Sequence, residues 1–278
     1  MTEGSLHRLA AFADAPGGGN PAGVWTGEAL PSVEEMQRIA ADVGYSETAF
    51  VAPLSGSDKT IRYFSPEIEV PFCGHATIAT GVVLGRKQGP GRYTLDTQVG
   101  NVPIEVVDDD GIRVTLESVE PKQRMIDPFS LYDYLDILGW LDAEFDDAIP
   151  PAFAYAGAWH LVIAVTDRET LANLDYDFER ARQKMPKDDI VTFQLVWRES
   201  ADTYHCRNPF PVGGVVEDPA TGAAAAALGG YLRSIGAIDV PSTLTILQGV
   251  DMGRPSRLVV DVPSAGGIRV SGSAAEIE

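Results

Sequence analysis

Pro71-Phe72-Cys73-Gly74-His75-Ala76-Thr77-Ile78-Ala79-Thr80-Gly81-Val82-Val83-Leu84 is the stretch on which the reading of this chain turns. Polar and glycine residues fill its front end, and from Ala76 to Leu84 no side chain carries a charge. A helix that is apolar all round has no face that can meet water, so it must be enclosed on every side. Its first amides, at Gly74 to Thr77, have no partner inside the helix, and the helix dipole favours an anion in front of them. The stretch predicts a buried helix with a polar pocket at its mouth.

The pattern has an echo. Glu217-Asp218-Pro219-Ala220-Thr221-Gly222 runs into Ala223 to Leu228 and then Gly229-Gly230-Tyr231-Leu232. This predicts a second small-residue, apolar helix from Ala220, with its proline placed early where a missing N–H costs nothing. A basic, strand-like opening precedes each helix: Arg62-Tyr63-Phe64-Ser65-Pro66 before the first and Cys206-Arg207-Asn208-Pro209-Phe210-Pro211 before the second. Arg62 lies fifteen residues before Thr77, and Arg207 fourteen before Thr221. Two similar halves point to a duplicated domain.

The chain has 278 residues, room for one large or two ordinary domains. A hydrophobic share of 45% and a charged share of 22% fit a globular protein. The net charge of -19 argues against nucleic acid and anionic membranes as partners, because its field repels both. No apolar run reaches transmembrane length, and the first residues lack the basic-then-apolar order of a signal peptide. Two cysteines make no disulfide framework and suit a reducing, cytoplasmic setting.

Along the chain, Leu6 to Phe12 reads as a strand ended by Pro16-Gly17-Gly18-Gly19. Gly17-x-Gly19-x-x-Ala22 is a partial dinucleotide fingerprint, but the strand-like Val24-Trp25 follows where that motif needs a helix. Asn20-Pro21-Ala22-Gly23 is read as a tight turn between strands. Ser32-Val33-Glu34-Glu35 is a capping box opening an amphipathic helix stopped by Gly44. Strands follow at 46–51 and 60–64, then beyond the central helix at 93–95, 102–107 and 112–116. Pro121 to Asp127 reads as a link between halves, and the acidic run from Asp127 to Asp147 as a solvated helix face. In the second half, strands are predicted at 159–165, 190–197, 202–207, 243–248, 257–261 and 268–270, with short helices at 168–174 and 177–185. The architecture predicted is α+β: two curved sheets, each wrapped round one apolar helix.

The residues able to carry chemistry are Glu47, His75, Asp218, Cys73 and Cys206. His75 and Asp218 stand at the mouths of the two helices, and a carboxylate substrate would meet free amides at both. Glu47 is a candidate general acid/base if burial brings its pKa toward neutrality. Cys73 and Cys206 suggest a two-thiol racemase, yet Cys206 lies well upstream of Asp218 on a predicted strand, where it reads as a small buried hydrophobe. Zinc is disfavoured: His205 and Cys206 are neighbours on a strand and point to opposite faces.

At these residues the chain resembles the phenazine-biosynthesis isomerase (PhzF-like) family, relatives of diaminopimelate epimerase. The resemblance rests on Gly19-Asn20-Pro21-Ala22, Ser46-Glu47-Thr48-Ala49-Phe50-Val51, Pro71 to Thr77, Glu217 to Gly222, and Gln248-Gly249 with Gly253-Arg254-Pro255-Ser256. It implies two pseudo-symmetric α+β halves, residues 1–120 and 121–265, with a last strand at about 266–278 returning to the first. It also implies a homodimer, no metal or organic cofactor, and a cofactor-independent isomerase acting on a small carboxylate. Carried over by position, Glu47 matches the proton-shuttling glutamate, and His75 and Asp218 its substrate-contacting partners. Asn20, Gly74, Thr221, Gly222 and Ala223 are the further substrate-binding positions implied, Ala223 standing where the phenazine enzyme has a serine. Two alternatives stay open: a racemase or epimerase using Cys73 with an opposing base, and a protein that binds a small carboxylate without turning it over.

Overall fold

The computed structural model describes residues 3–277. The chain divides into two compact units, one running up to Glu117 and resumed from Ser271, the other spanning Ser118–Val270.

In the first unit, β1 (Gly4–Ala11) pairs antiparallel with β2 (Asn20–Gly27), and β2 pairs parallel with β3 (Glu47–Ser55) through Ala22 opposite Glu47. Parallel neighbours need a crossover, and α1 (Val33–Val43) supplies it. Ser32 caps it by accepting the Glu35 N–H, and Gly44 ends it in the left-handed region at φ 71°. Met36 and Ala40 turn inward onto Trp25, Phe50 and Phe64, where Phe50 and Phe64 meet edge to face. The sheet continues with β4 (Asp58–Phe64) antiparallel to β3, the short β5 (Glu69–Val70) against β4, and the meander β6 (Gly91–Thr97), β7 (Gly100–Asp108) and β8 (Ile112–Glu117).

Between β5 and β6 runs α2 (Gly74–Gln88), in which every residue from His75 to Gly85 is buried, as a charge-free surface requires. Gly81 and Gly85 let it lie directly on the sheet. A Cβ at Gly81 would come 2.5 Å from Val114 Cγ1, and one at Gly85 2.8 Å from Val106 Cγ1. The first charges, Arg86 and Lys87, appear in the last turn, where they reach Glu276 and Thr26. The C-terminal strand, Ala274–Glu276, pairs with β1.

Asn20-Pro21-Ala22-Gly23 is not a turn. These residues open β2, and the reversal lies upstream, where the Gly18 N–H donates to the Ala15 carbonyl and Gly17 and Gly19 adopt positive φ. Pro21 is tolerated because it precedes Ala22, the first residue of β2 paired with β3.

The second unit begins with β9 (Lys122–Met125), where the sequence reading placed a linker; it pairs antiparallel with β10 (Ala152–Tyr155). All four β9 residues are exposed, so no apolar alternation marked it. Then come α3 (Pro128–Ile137), β11 (Trp159–Val165), α4 (Arg168–Ala172), α5 (Phe178–Lys184), β12 (Thr192–Arg198) and β13 (Thr203–Arg207). A core of Tyr134, Ile137, Leu161, Ile163, Phe193 and Leu195 joins α3 to one sheet face. The acidic run is only partly a helix face. Asp142, Glu144, Asp146 and Asp147 lie beyond α3, and Asp146 pairs with Arg198 at 2.7 Å.

After β14 (Pro209–Phe210) and β15 (Val215–Glu217), the second apolar helix, α6 (Gly222–Ser234), is buried from Ala224 to Leu232. It starts two residues later than predicted, leaving Pro219 and Ala220 in the approach loop. Gly230 packs where a Cβ would lie 2.4 Å from Pro121. Strands β16 (Ser242–Gln248), parallel to β13, and β17 (Ser256–Val262) complete the unit, and β18 (Arg269–Gly272) carries the chain onward. No helix among the described residues is long and apolar enough to cross a membrane.

Candidate active site

Three element starts converge in the first unit. Asn20 opens β2, Glu47 opens β3, and Cys73 and His75 flank the first residue of α2. The parallel pairing of β2 with β3 brings their beginnings side by side, and α2, packed on the same strands, delivers its own. His75 is the hub. Its Nε2 lies 3.3 Å from Glu47 Oε2 and 3.4 Å from Ser46 Oγ, and its Nδ1 lies 3.2 Å from Asn20 Nδ2 and 3.4 Å from Cys73 Sγ. With the Asn20 amide nitrogen donating, Nδ1 accepts, and Nε2 is the ring nitrogen that faces Glu47.

The His75 side chain is 8% exposed and that of Glu47 18%, so the carboxylate retains a route to a ligand while the imidazole is held inside. Gly74 separates Cys73 from His75, and a Cβ there would meet nothing within 4 Å. Packing does not demand that glycine. Behind the mouth, Tyr63 Oη and Thr77 Oγ1 share a 2.6 Å hydrogen bond, and Thr77 Oγ1 donates to the Cys73 carbonyl at 2.7 Å. Burial pushes the Tyr63 phenol far above its usual range, which keeps it a neutral strut.

The mouth of α6 is built differently. The Thr221 hydroxyl contacts Asp218 Oδ2 and lies 3.0 Å from Asn208 Oδ1. Gln248 clamps the loop from behind: its Oε1 accepts the Thr221 N–H at 3.2 Å, and its Nε2 donates to the Asp218 carbonyl at 2.7 Å. Asn208 Nδ2 donates to Gln194 Oε1 at 2.6 Å, and Gln194 Nε2 to Cys206 Sγ at 3.2 Å. Asn208, Gln194 and Gln248 are fully buried. The Thr221 amide is thus taken by a side chain, and the two residues that follow it, Gly222 and Ala223, are partly exposed. Gly249 permits the clamp, since a Cβ there would lie 2.8 Å from the Pro219 carbonyl oxygen.

Each basic opening finds an acid. Arg62 grips Glu69 with two hydrogen bonds, and Arg207 grips Glu217 while also donating to the carbonyls of Leu171 and Ala172. Cys206 is buried, its thiol pushed up by desolvation, and His205 on the opposite face meets Glu199 at 3.2 Å. The sequence reading missed Gln248 in its clamping role, together with Asn208 and Gln194. Neutral amides carry no titratable signal, and only the Gln248-Gly249 motif hinted at one of them.

Residues 9–278 match the family model described as phenazine biosynthesis-like protein. The chain belongs to the phenazine biosynthesis-like (PhzF) family. It is 33% identical over 279 residues to the trans-2,3-dihydro-3-hydroxyanthranilate isomerase of Pseudomonas aeruginosa, covering 97% of each chain. With an uncharacterized isomerase of Bacillus subtilis it shares 31% identity over 278 residues, covering 96% of this chain and 93% of the other. The crystal structure of a PhzF-family phenazine biosynthesis protein from Bacillus anthracis superposes with a TM-score of 0.87 at 24% identity, covering 98% and 96% of the two chains. The fold is that of PhzF proteins, and this member of the family is an isomerase.

Proposed function

We propose that this PhzF-family isomerase moves a proton within a small carboxylate-bearing substrate, with Glu47 as the acid/base and without an organic or metal cofactor. The observation that carries the reading is the Glu47 carboxylate 3.3 Å from a buried His75 whose other nitrogen faces Asn20. A base transfers a proton only when it stands within about 3 Å of it in a fixed orientation. The His75 Nε2–H orients the Glu47 carboxylate and turns to the substrate's developing negative charge as the proton leaves. The amide of Gly74, a partly buried residue where an added Cβ would meet nothing within 4 Å, is assigned to receive the substrate carboxylate at the start of α2. Asp218, its carboxyl aligned by the Thr221 hydroxyl, is assigned recognition of polar substrate groups together with Thr221, Gly222 and Ala223.

Trans-2,3-dihydro-3-hydroxyanthranilate, the substrate named for the Pseudomonas aeruginosa relative, is the first compound to test. Incubation with it, and with cyclic and amino-acid carboxylates, in deuterated water is expected to place label in one of them with wild type and not with Glu47→Gln. Label surviving in that variant overturns the assignment. A second reading is favoured by Cys73 Sγ, 3.4 Å from His75 Nδ1: a racemase in which the thiol takes the proton. Cys73→Ser abolishes exchange under that reading and spares it under the first. Two cysteines outside any disulfide fit the cytoplasm proposed as the location, and a homodimer is the assembly proposed, to be read by light scattering.

A further inference from the structure

Phe72 is a large apolar side chain left 37% exposed immediately before Cys73, the cap of α2, and the acid/base reading gives it no task. Single exposed apolar residues are common, so exposure by itself decides nothing. Two further features single this one out: how it is held, and which side of the chain it occupies.

The Phe72 ring stands edge to face with Tyr63, their centroids 5.8 Å apart. Tyr63 is fully buried, and its hydroxyl meets that of Thr77 in α2 at 2.6 Å. The approach is tied as well. Val70 pairs with Tyr63 in the β4–β5 register, Arg62 grips Glu69, and the Ser65 N–H donates to the Ile68 carbonyl at 2.8 Å. A ring fixed before a ligand arrives gives up little freedom on binding. Ala49 lies opposite Tyr63, and Glu47 lies two residues before Ala49, so the Tyr63 ring and the Glu47 carboxylate share one face of the sheet.

Backbone geometry gives the direction. Cys73 is extended, at φ -143° and ψ 117°, so the side chains before and after it point opposite to its own. Cys73 Sγ turns to His75 Nδ1, 3.4 Å away. Phe72 and the Cβ direction of Gly74 therefore share the other side, where a Gly74 Cβ would meet nothing within 4 Å. Two residues of extended chain rise about 6.6 Å, which leaves room for a carbon skeleton beside the ring.

We propose that Phe72 is a specificity-determining residue: with the substrate carboxylate at the Gly74 amide, the carbon skeleton lies against the Phe72 ring. A flat or cyclic skeleton covers that ring as it stands, whereas a flexible open chain must first be ordered. The carboxylate position is taken from the proposed function; the role of Phe72 does not depend on Glu47 as the base.

The test is isothermal titration calorimetry on the full-length protein, with benzoate and cyclohexanecarboxylate as ring acids and butyrate as the open-chain acid. Wild type is expected to bind the ring acids more tightly. Phe72→Ala should weaken them ~10-fold and butyrate less than ~2-fold, while Phe72→Tyr keeps the preference. Gly74→Ala places a methyl where the carboxylate is assigned and should weaken all three alike. Ile68→Ala, at a 62% exposed position on the same loop, should change none. Thermal melts of each variant separate loss of a contact from loss of the fold. Equal losses for ring and open-chain acids in folded Phe72→Ala, no loss there, the same selective loss in Ile68→Ala, or a wild type without ring preference overturns the assignment. Selective loss in Phe72→Ala with full binding in Gly74→Ala counts instead against the carboxylate position and leaves Phe72 as the wall. Binding is read without turnover, so deuterium exchange in Glu47→Gln judges the acid/base reading separately.

Discussion

The mouth of α2 and the mouth of α6 start from similar sequence and spend their polar atoms in opposite ways. At α2, groups able to change protonation cluster round one imidazole: a carboxylate, a thiol and a histidine, with Asn20 and Ser46 beside them. At α6, neutral amides of Gln194, Asn208 and Gln248 close on the loop before the helix, and the one nearby thiol is buried behind them. The α2 mouth thus gathers titratable side chains, and the α6 mouth is braced by neutral amides. The ion pairs follow suit. Arg62 and Glu69 remain 28% and 21% exposed, whereas Arg207 and Glu217 are 12% and 4% exposed.

If the contrast is real, the sharpest break comes at Glu47. Glu47→Gln preserves shape and removes the base, and deuterium incorporation measured by mass spectrometry is expected to fall ~10²–10⁴-fold with the melting temperature little changed. Next is Arg207→Ala, which strands Glu217 in a buried position; urea denaturation should show a loss of about 3–5 kcal/mol. Gln248→Ala leaves the Thr221 N–H and the Asp218 carbonyl without their partner, costing about 1–3 kcal/mol in the same assay. Arg62→Ala, at the more open pair, should cost about 1 kcal/mol or less.

A pH experiment probes the neutrality of the second unit. His160 is fully buried, with Nδ1 2.7 Å from Thr192 Oγ1, and burial pushes its pKa from 6.5 down to about 3. The unfolded chain binds this proton more readily than the folded one. The stability it contributes is therefore fully present above pH 6.5 and is lost as the pH falls from there toward 3. Unfolding near pH 5 should take up about one proton at this position. Denaturation followed across that window in wild type and His160→Leu should show a shallower acid decline in the variant, and an identical slope would rule out a neutral His160.

What the sequence made legible follows from how loudly each feature is written. Enclosure of α2 was forced by nine charge-free residues, Ala76 to Leu84, and its burial is as complete as that demands. β9 was silent because Lys122, Gln123, Arg124 and Met125 are all exposed and show no period of two. The meeting of Glu47 with His75 spans 28 residues and two antiparallel strand reversals, a distance no local pattern encodes; only the family resemblance joined them. The later start of α6 was hidden for a different reason. Thr221 is extended, at φ -120° and ψ 92°, in a loop that Gln248 holds from 27 residues downstream, a contact no local pattern encodes.

One consequence concerns Gly81, six residues along α2 from His75 and so about 9 Å from it along the axis. Its bare backbone rests against Val114, and the thickness of that contact sets how far the helix stands off its sheet. A single methyl there would act as a shim, lifting the rod and carrying the imidazole at its tip away from the Glu47 carboxylate 3.3 Å from it. On the acid/base reading proposed for Glu47, the gauge that sets this gap is a missing side chain about two turns down the helix.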